Sequence, residues 1–187
     1  DLIKKYIDEH LGGGYDAVKM KYGKDALEKA CKDGAFADVE ILINGGDDVN
    51  AKAKSDNNNT PLTRACANGK SECVRLLLAS PNINVNICGY NDRSPLLMCA
   101  WEGHTECVRM LCEHPDITPS LTKKGKAGHS PLSKAKTAKI KKFIMDAING
   151  NASAKVAYEF DEMKKKYGKG PLALAAKGNH LEDVKCL

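Results

Sequence analysis

The sequence predicts an all-α solenoid built from stacked helix-turn-helix units, and three observations carry that prediction. The run Thr60-Pro61-Leu62-Thr63-Arg64-Ala65-Cys66-Ala67-Asn68-Gly69 recurs 34 positions later as Ser94-Pro95-Leu96-Leu97-Met98-Cys99-Ala100-Trp101-Glu102-Gly103. The match continues past the glycine, where Glu72-Cys73-Val74-Arg75-Leu76-Leu77-Leu78 answers to Glu106-Cys107-Val108-Arg109-Met110-Leu111-Cys112. A fixed period of this length is the mark of a stacked repeat, in which no unit can bury its apolar face alone. The composition agrees: 42% hydrophobic and 28% charged residues supply a continuous core. No apolar run approaches the roughly 18 residues that a membrane span needs.

Within each unit the punctuation predicts two short helices. Proline stands in the first turn, where its missing N–H costs nothing, and glycine ends that helix in a left-handed conformation. A second helix with an apolar stripe follows. The first repeat spans 25–59, opening at Asp25-Ala26-Leu27-Glu28-Lys29-Ala30 and reaching Gly34 without the proline. The second spans 60–93 and the third 94–129. The fourth, 130–149, opens at Ser130-Pro131-Leu132-Ser133-Lys134-Ala135 and runs into Ile140-Lys141-Lys142-Phe143-Ile144 with no glycine between. Such degeneracy fits a terminal, capping unit with a polar outer face. Residues 169–187 start another repeat, with Pro171-Leu172-Ala173-Leu174-Ala175-Ala176 and with Asn179 at the helix-ending position.

A longer periodicity lies above the first. Ile3-Lys4-Lys5-Tyr6-Ile7 resembles Ile140-Lys141-Lys142-Phe143-Ile144, and Tyr15-Asp16, Val18 and Tyr22-Gly23-Lys24 answer to Phe160-Asp161, Met163 and Tyr167-Gly168-Lys169. Whole modules are therefore expected to be duplicated. Residues 1–11 would close a preceding module, and 12–24 and 150–168 would be amphipathic connecting helices, with Val156, Phe160, Met163 and Tyr167 at helical spacing. The chain reads as a segment of a longer protein.

These residues resemble the ankyrin repeat, whose signature is a Thr-Pro-Leu-His-like turn, a helix pair and a Gly-Ala-Asp-Val-Asn-like hairpin. The hairpin signals here are Gly45-Gly46-Asp47-Asp48-Val49-Asn50-Ala51 and the variant Pro81-Asn82-Ile83-Asn84-Val85-Asn86. The resemblance implies short β-hairpin loops between units and a concave face, made of hairpin tips and first helices, on which partners dock. Carried over residue by residue, the variable partner-facing positions are Asp56, Asn57, Asn59, Ala67 and Asn68 in the second repeat, and Tyr90, Asn91, Arg93, Trp101 and Glu102 in the third. His104 and His180 sit where such sequences commonly carry a structural histidine.

Catalytic and metal chemistry find no constellation. The chain has eight cysteines, of which Cys31, Cys66, Cys73, Cys99, Cys107 and Cys112 fall at repeat-equivalent helical positions. They read as small core hydrophobes in a reducing compartment, which places the protein inside the cell and favours the cytoplasm. Cys88, in a hairpin, is the expected reactive thiol. Cys112-x-His114 lacks the partnering Cys pair of a zinc site. Gly12-Gly13-Gly14 lacks the Lys-Ser/Thr of a phosphate loop, and His10, His114 and His129 join no triad. No cofactor, metal or enzymatic activity is expected.

Function must then come from the surface. The third repeat gathers the single tryptophan of the chain with a tyrosine and an arginine. Those three residue types are the most enriched in binding hot spots. A second feature is the basic stretch from Lys123 to Lys142, formed by Lys123, Lys124, Lys126, Lys134, Lys136, Lys139, Lys141 and Lys142 with no acidic residue among them. The leading expectation is a non-enzymatic protein-binding or scaffolding segment that engages another protein, as part of a larger complex. The competing one is a module that docks this basic stretch to anionic lipid headgroups or nucleic acid. Nucleic acid is disfavoured, because no aromatic residues interleave the lysines to stack bases.

Overall fold

The computed structural model describes residues 14–54 and 57–151. The expectations for residues 1–11, Asp56, His180 and the repeat start at 169–187 lie outside them, as does nearly all of the connecting helix at 150–168. Helix α1 (Tyr15–Tyr22) leads into four helix pairs. The pairs are α2 (Ala26–Asp33) with α3 (Phe36–Asn44), α4 (Pro61–Ala67) with α5 (Ser71–Leu78), α6 (Pro95–Glu102) with α7 (Thr105–Cys112), and α9 (Pro131–Lys134) with α10 (Ala138–Gly150). A short helix α8 (Thr118–Thr122) intervenes before the fourth pair.

The helix boundaries follow from local chemistry. Thr60 and Ser94 lie in extended backbone, and their hydroxyls accept from the amides of Thr63 and Leu97 at 3.1 and 3.2 Å. Those amides would otherwise be orphans of the first turn. Ser130 and Ser133 form a reciprocal box of the same kind. At the other end Gly34, Gly69 and Gly103 take φ of +80°, +65° and +92°. A further demand at these glycines comes from the next unit. The Lys70 chain crosses Gly34, the His104 ring crosses Gly69 and the Lys136 chain crosses Gly103, each where a Cβ would stand. His104 Nε2 also donates to the Ala67 carbonyl at 3.3 Å, so this histidine ties two repeats together.

First helices stack on first helices and second on second, giving two layers. The first-helix layer is joined through small residues, with Ala30, Cys31, Ala65, Cys66, Cys99 and Ala100 wholly buried. The second layer contributes Val39, Leu42, Val74, Leu77, Val108 and Leu111. The first helices also bury the larger Leu27, Leu62, Leu96 and Leu97, so both layers contribute to one continuous core. Leu76 and Met110, also expected in the core, are only half-buried on its flank. A buried ion pair, Arg64 Nε to Glu28 Oε1 at 2.6 Å, joins α2 to α4.

The loops turn back on themselves with little strand structure. Among the described residues the β pairing is the isolated bridge Ala53–Asn59. Each of the second and third repeats is entered through two consecutive left-handed residues, Asn57-Asn58 and Asn91-Asp92, all with φ between +55° and +58°. Asn and Asp are the side chains that tolerate this region, because their short polar groups bond locally. Farther along the loops an asparagine thread runs from unit to unit. Asn50 donates to the Asn82 carbonyl and accepts from the Asn84 amide, and Asn86 donates to the Asp116 carbonyl and accepts from the Ser120 hydroxyl. The loop after α7 carries a 3-10 turn, Pro115–Ile117, and then α8, which buries Ile117, Ser120 and Leu121. The fourth repeat has a first helix of 4 residues and a second of 13. With its glycine turn missing, the link uses the neighbour instead: Lys136 N donates to the Ala100 carbonyl at 3.1 Å.

Candidate functional site

The last turn of α6 places Trp101 two residues before the left-handed Gly103, on the first-helix side of the stack. Three side chains converge on its half-buried indole. The Arg93 guanidinium, from the loop that enters the same repeat, lies 4.5 Å from the ring centroid. The Lys134 ammonium, from the last position of α9 in the next repeat, lies 4.4 Å away. The His129 ring meets the indole edge-on, with centroids 5.3 Å apart and an interplanar angle of 76°. Cations over an indole face are held by the ring quadrupole, each contact contributing about 0.5–2 kcal/mol depending on desolvation.

The site's surroundings are basic. Lys126 N donates to the Asn91 carbonyl at 2.9 Å, which ties the lysine-bearing loop to the tip carrying Tyr90 and Arg93. Lys136 Nζ donates to the Glu102 carbonyl at 3.2 Å. Tyr90 is 51% exposed, and the Asp92 and Glu102 side chains are exposed on the same side. The lysine stretch does not form one surface. Lys123, Lys124, Lys126, Lys134 and Lys136 lie with the loop and the first-helix layer. Lys139, Lys141 and Lys142 are exposed on α10 in the second layer. Formal charge follows the axis of the stack: the 25–59 unit holds eight acidic and four basic residues, whereas the 130–149 unit holds five lysines and one aspartate.

The equivalent positions of the second repeat do different work. Asn57 is a left-handed turn residue, as is Asn91 in the third. Asn59 Oδ1 accepts from Tyr90 N at 3.2 Å, binding one loop tip to the next. Asn68 Nδ2 donates to the Arg64 carbonyl at 2.9 Å and closes its own helix. Of these residues, expected to face a partner, Asn59 and Asn68 also bond to backbone through their side chains, Asn57 shapes its turn through its backbone, and Ala67 offers only a methyl. Sequence reasoning missed the part played by His129 and Lys134 at Trp101. The signal was present in the repeat register, since His129 holds in the fourth unit the place that Arg93 holds in the third, immediately before a Ser-Pro step.

The seven cysteines among the described residues are free thiols. Cys88 is 9% exposed and its Sγ donates to the Asn86 carbonyl, which corrects its expected role as the accessible thiol. Cys112 is the more exposed one, yet burial pushes its pKa up to about 12, and burial does the same to Cys107. The neighbouring Cys73 and burial push the Cys31 thiol well above the ordinary thiol value, while interaction with Cys31 draws Cys73 below it. Among the described residues no group of three or more His, Cys, Asp or Glu side chains forms a metal site. None of their helices is long and apolar enough to cross a membrane.

Comparison with known proteins identifies the stack. The family model described as ankyrin repeats (3 copies) matches residues 27–123. Among solved structures, the chain is similar to the ankyrin repeat domain of Bcl-3, titled a unique member of the IkappaB protein family, with a TM-score of 0.56 and 25% sequence identity. That match covers 64% of this chain and 50% of the Bcl-3 chain. A search of curated proteins returned no match.

Proposed function

The chain belongs to the ankyrin-repeat family, a class of non-enzymatic protein-interaction modules, and from that premise we propose that it binds a partner protein on the first-helix side of the stack, centred on Trp101. The observation that carries the reading is the stack at Trp101. A large aromatic, an arginine and a lysine come from adjacent repeats and are already in contact with one another. Pre-organised side chains of these types lose little rotamer freedom on binding, so more of their contact energy appears as affinity. Tyr90 at the exposed tip extends the surface, and the rigid repeats around it supply its shape. The core cysteines, standing where sister units carry Ala or Leu, support a reducing intracellular setting, with the cytoplasm as the leading compartment.

The test is affinity purification from source with the intact chain as bait, followed by quantitative binding of the recovered protein to Trp101→Ala. The expected loss is about 2 kcal/mol or more in binding free energy, measured at a temperature where circular dichroism shows the variant fully folded. A partner that binds wild type and Trp101→Ala equally would remove Trp101 from the interface. Docking only to anionic vesicles or nucleic acid, with no protein recovered, would favour the competing basic-stretch reading.

A further inference from the structure

We propose that the Trp101 site recognises an acidic segment of its partner protein, whose carboxylates pair with Arg93 and Lys134 across the indole. This rests on the protein-binding reading above and adds the chemistry of the ligand. The first observation is how the arginines are used. The chain has four. Arg64 pairs with Glu28, Arg75 with Glu72, and Arg109 with both Glu106 and Glu113. Arg93 forms no ion pair among the described residues and lies on Trp101 instead. Lys134, half-buried against the same ring, likewise meets no carboxylate there. Indole contact satisfies a cation's ring-facing side but leaves its N–H donors directed elsewhere, and a guanidinium matches a carboxylate with two parallel bonds.

The second observation is the charge gradient along the stack. The acidic unit at 25–59 would repel an acidic segment, while Lys134 and Lys136 of the fourth unit's first-helix side and the loop bearing Lys123, Lys124 and Lys126 would attract it. The field therefore steers such a segment toward the end of the stack where Trp101 sits. Polyphosphate ligands fit less well. Single-stranded nucleic acid needs a row of aromatic platforms, and this surface has one indole and one tip tyrosine. A flat membrane would have to reach Lys134, which is half-buried against the indole.

Because Trp101 is the sole tryptophan, its fluorescence reports the site directly. The intact 187-residue chain is titrated with a ten-residue oligo-glutamate peptide bearing one central leucine and, as a control, with the same peptide carrying glutamine in place of glutamate. The expected result is a saturable change with the acidic peptide only, weakening as salt rises. Arg93→Glu and Lys134→Glu should each raise the apparent Kd about tenfold. Lys139→Glu, Lys141→Glu and Lys142→Glu together should alter it less than about twofold, since they lie on the second layer and act on the site only through a salt-screened field. An equal response to the glutamine peptide, or full acidic-peptide binding by Arg93→Glu and by Lys134→Glu, overturns the proposal. So does a tighter response to oligo-thymidylate or to vesicles containing a phosphoinositide. Far-ultraviolet circular dichroism and the thermal melt of each variant exclude unfolding as the cause. The two readings separate on the purified partner: loss on Trp101→Ala with no loss on Arg93→Glu or Lys134→Glu keeps protein binding and rejects acidic recognition. Persistence of binding in Trp101→Ala rejects both.

Discussion

The second and third repeats are copies of one another at an offset of 34, yet their first-helix surfaces carry different side chains in different contacts. In the second, Asn57 makes the turn through its left-handed backbone, and the side chains of Asn59 and Asn68 bond to backbone, Asn59 at the neighbouring loop tip and Asn68 at its own helix. In the third, the places of Asn59 and Ala67 are taken by Arg93 and Trp101, which engage each other and the following repeat. The scaffold beneath is the same, with Val74 and Leu77 matched by Val108 and Leu111 at full burial. A repeat thus separates the residues that hold it together from those that face outward. Neighbouring units can therefore present different surface chemistry on one scaffold.

The sharpest way to break this comparison is at the shared core. Leu77→Ala and Leu111→Ala should each destabilise by about 2–5 kcal/mol, because both leave a cavity between stacked second helices. Chemical denaturation measures both, and a large disparity between them would show that the two cores are not equivalent. The glycine turns come next. Gly69→Ala should cost about 2–3 kcal/mol, because its positive φ is combined with a Cβ driven into the His104 ring. Gly103→Ala should cost about 1–2 kcal/mol, because the obstacle there is the flexible Lys136 chain, 2.8 Å from the Cβ position. The same denaturation experiment reads the order, and a reversal would place His104 elsewhere.

Smaller effects test the backbone roles of the second repeat. Asn59→Ala removes the acceptor of the Tyr90 amide and should cost about 1 kcal/mol, whereas Asn57→Gly, which relieves the left-handed strain, should leave the melt unchanged or raised. A lowered melt for Asn57→Gly would mean that its side chain, not its backbone, is what the fold uses. The smallest change expected is in thiol labelling. Only the thiolate reacts, so Cys107 and Cys112, with pKa values pushed up to about 12, should label slowly at neutral pH and faster as the pH rises toward 12. Mass spectrometry of the native protein checks this, and rapid neutral labelling of Cys107 would contradict its burial.

Much of this was legible in the sequence because repeat periodicity encodes burial directly. The proline and glycine positions, the helix pair and the cysteines standing for alanine or leucine all follow from local propensity and from spacing along the helix. Other features were not legible. The register of Asn57 and Asn91 at φ near +55° was hidden by reading them as variable surface residues, although asparagine is a residue expected there. The helix at Thr118–Thr122 was missed because its five residues carry too short an apolar pattern to register. The lysine stretch looked like a single feature, yet a short first helix followed by a long second one divides it between the two layers.

What the sequence determined by itself was the repeat: its period, its two helices, its caps and the residues of its core, since these depend on interactions within a unit or between identical units. What only the tertiary structure decided was which side chains from different units meet. Trp101, Arg93, His129 and Lys134 come from two repeats and from loops whose path depends on turn conformation. Their meeting depends on the reach and rotamer of long side chains across the stack, quantities that the period of a sequence leaves open and that packing alone resolves.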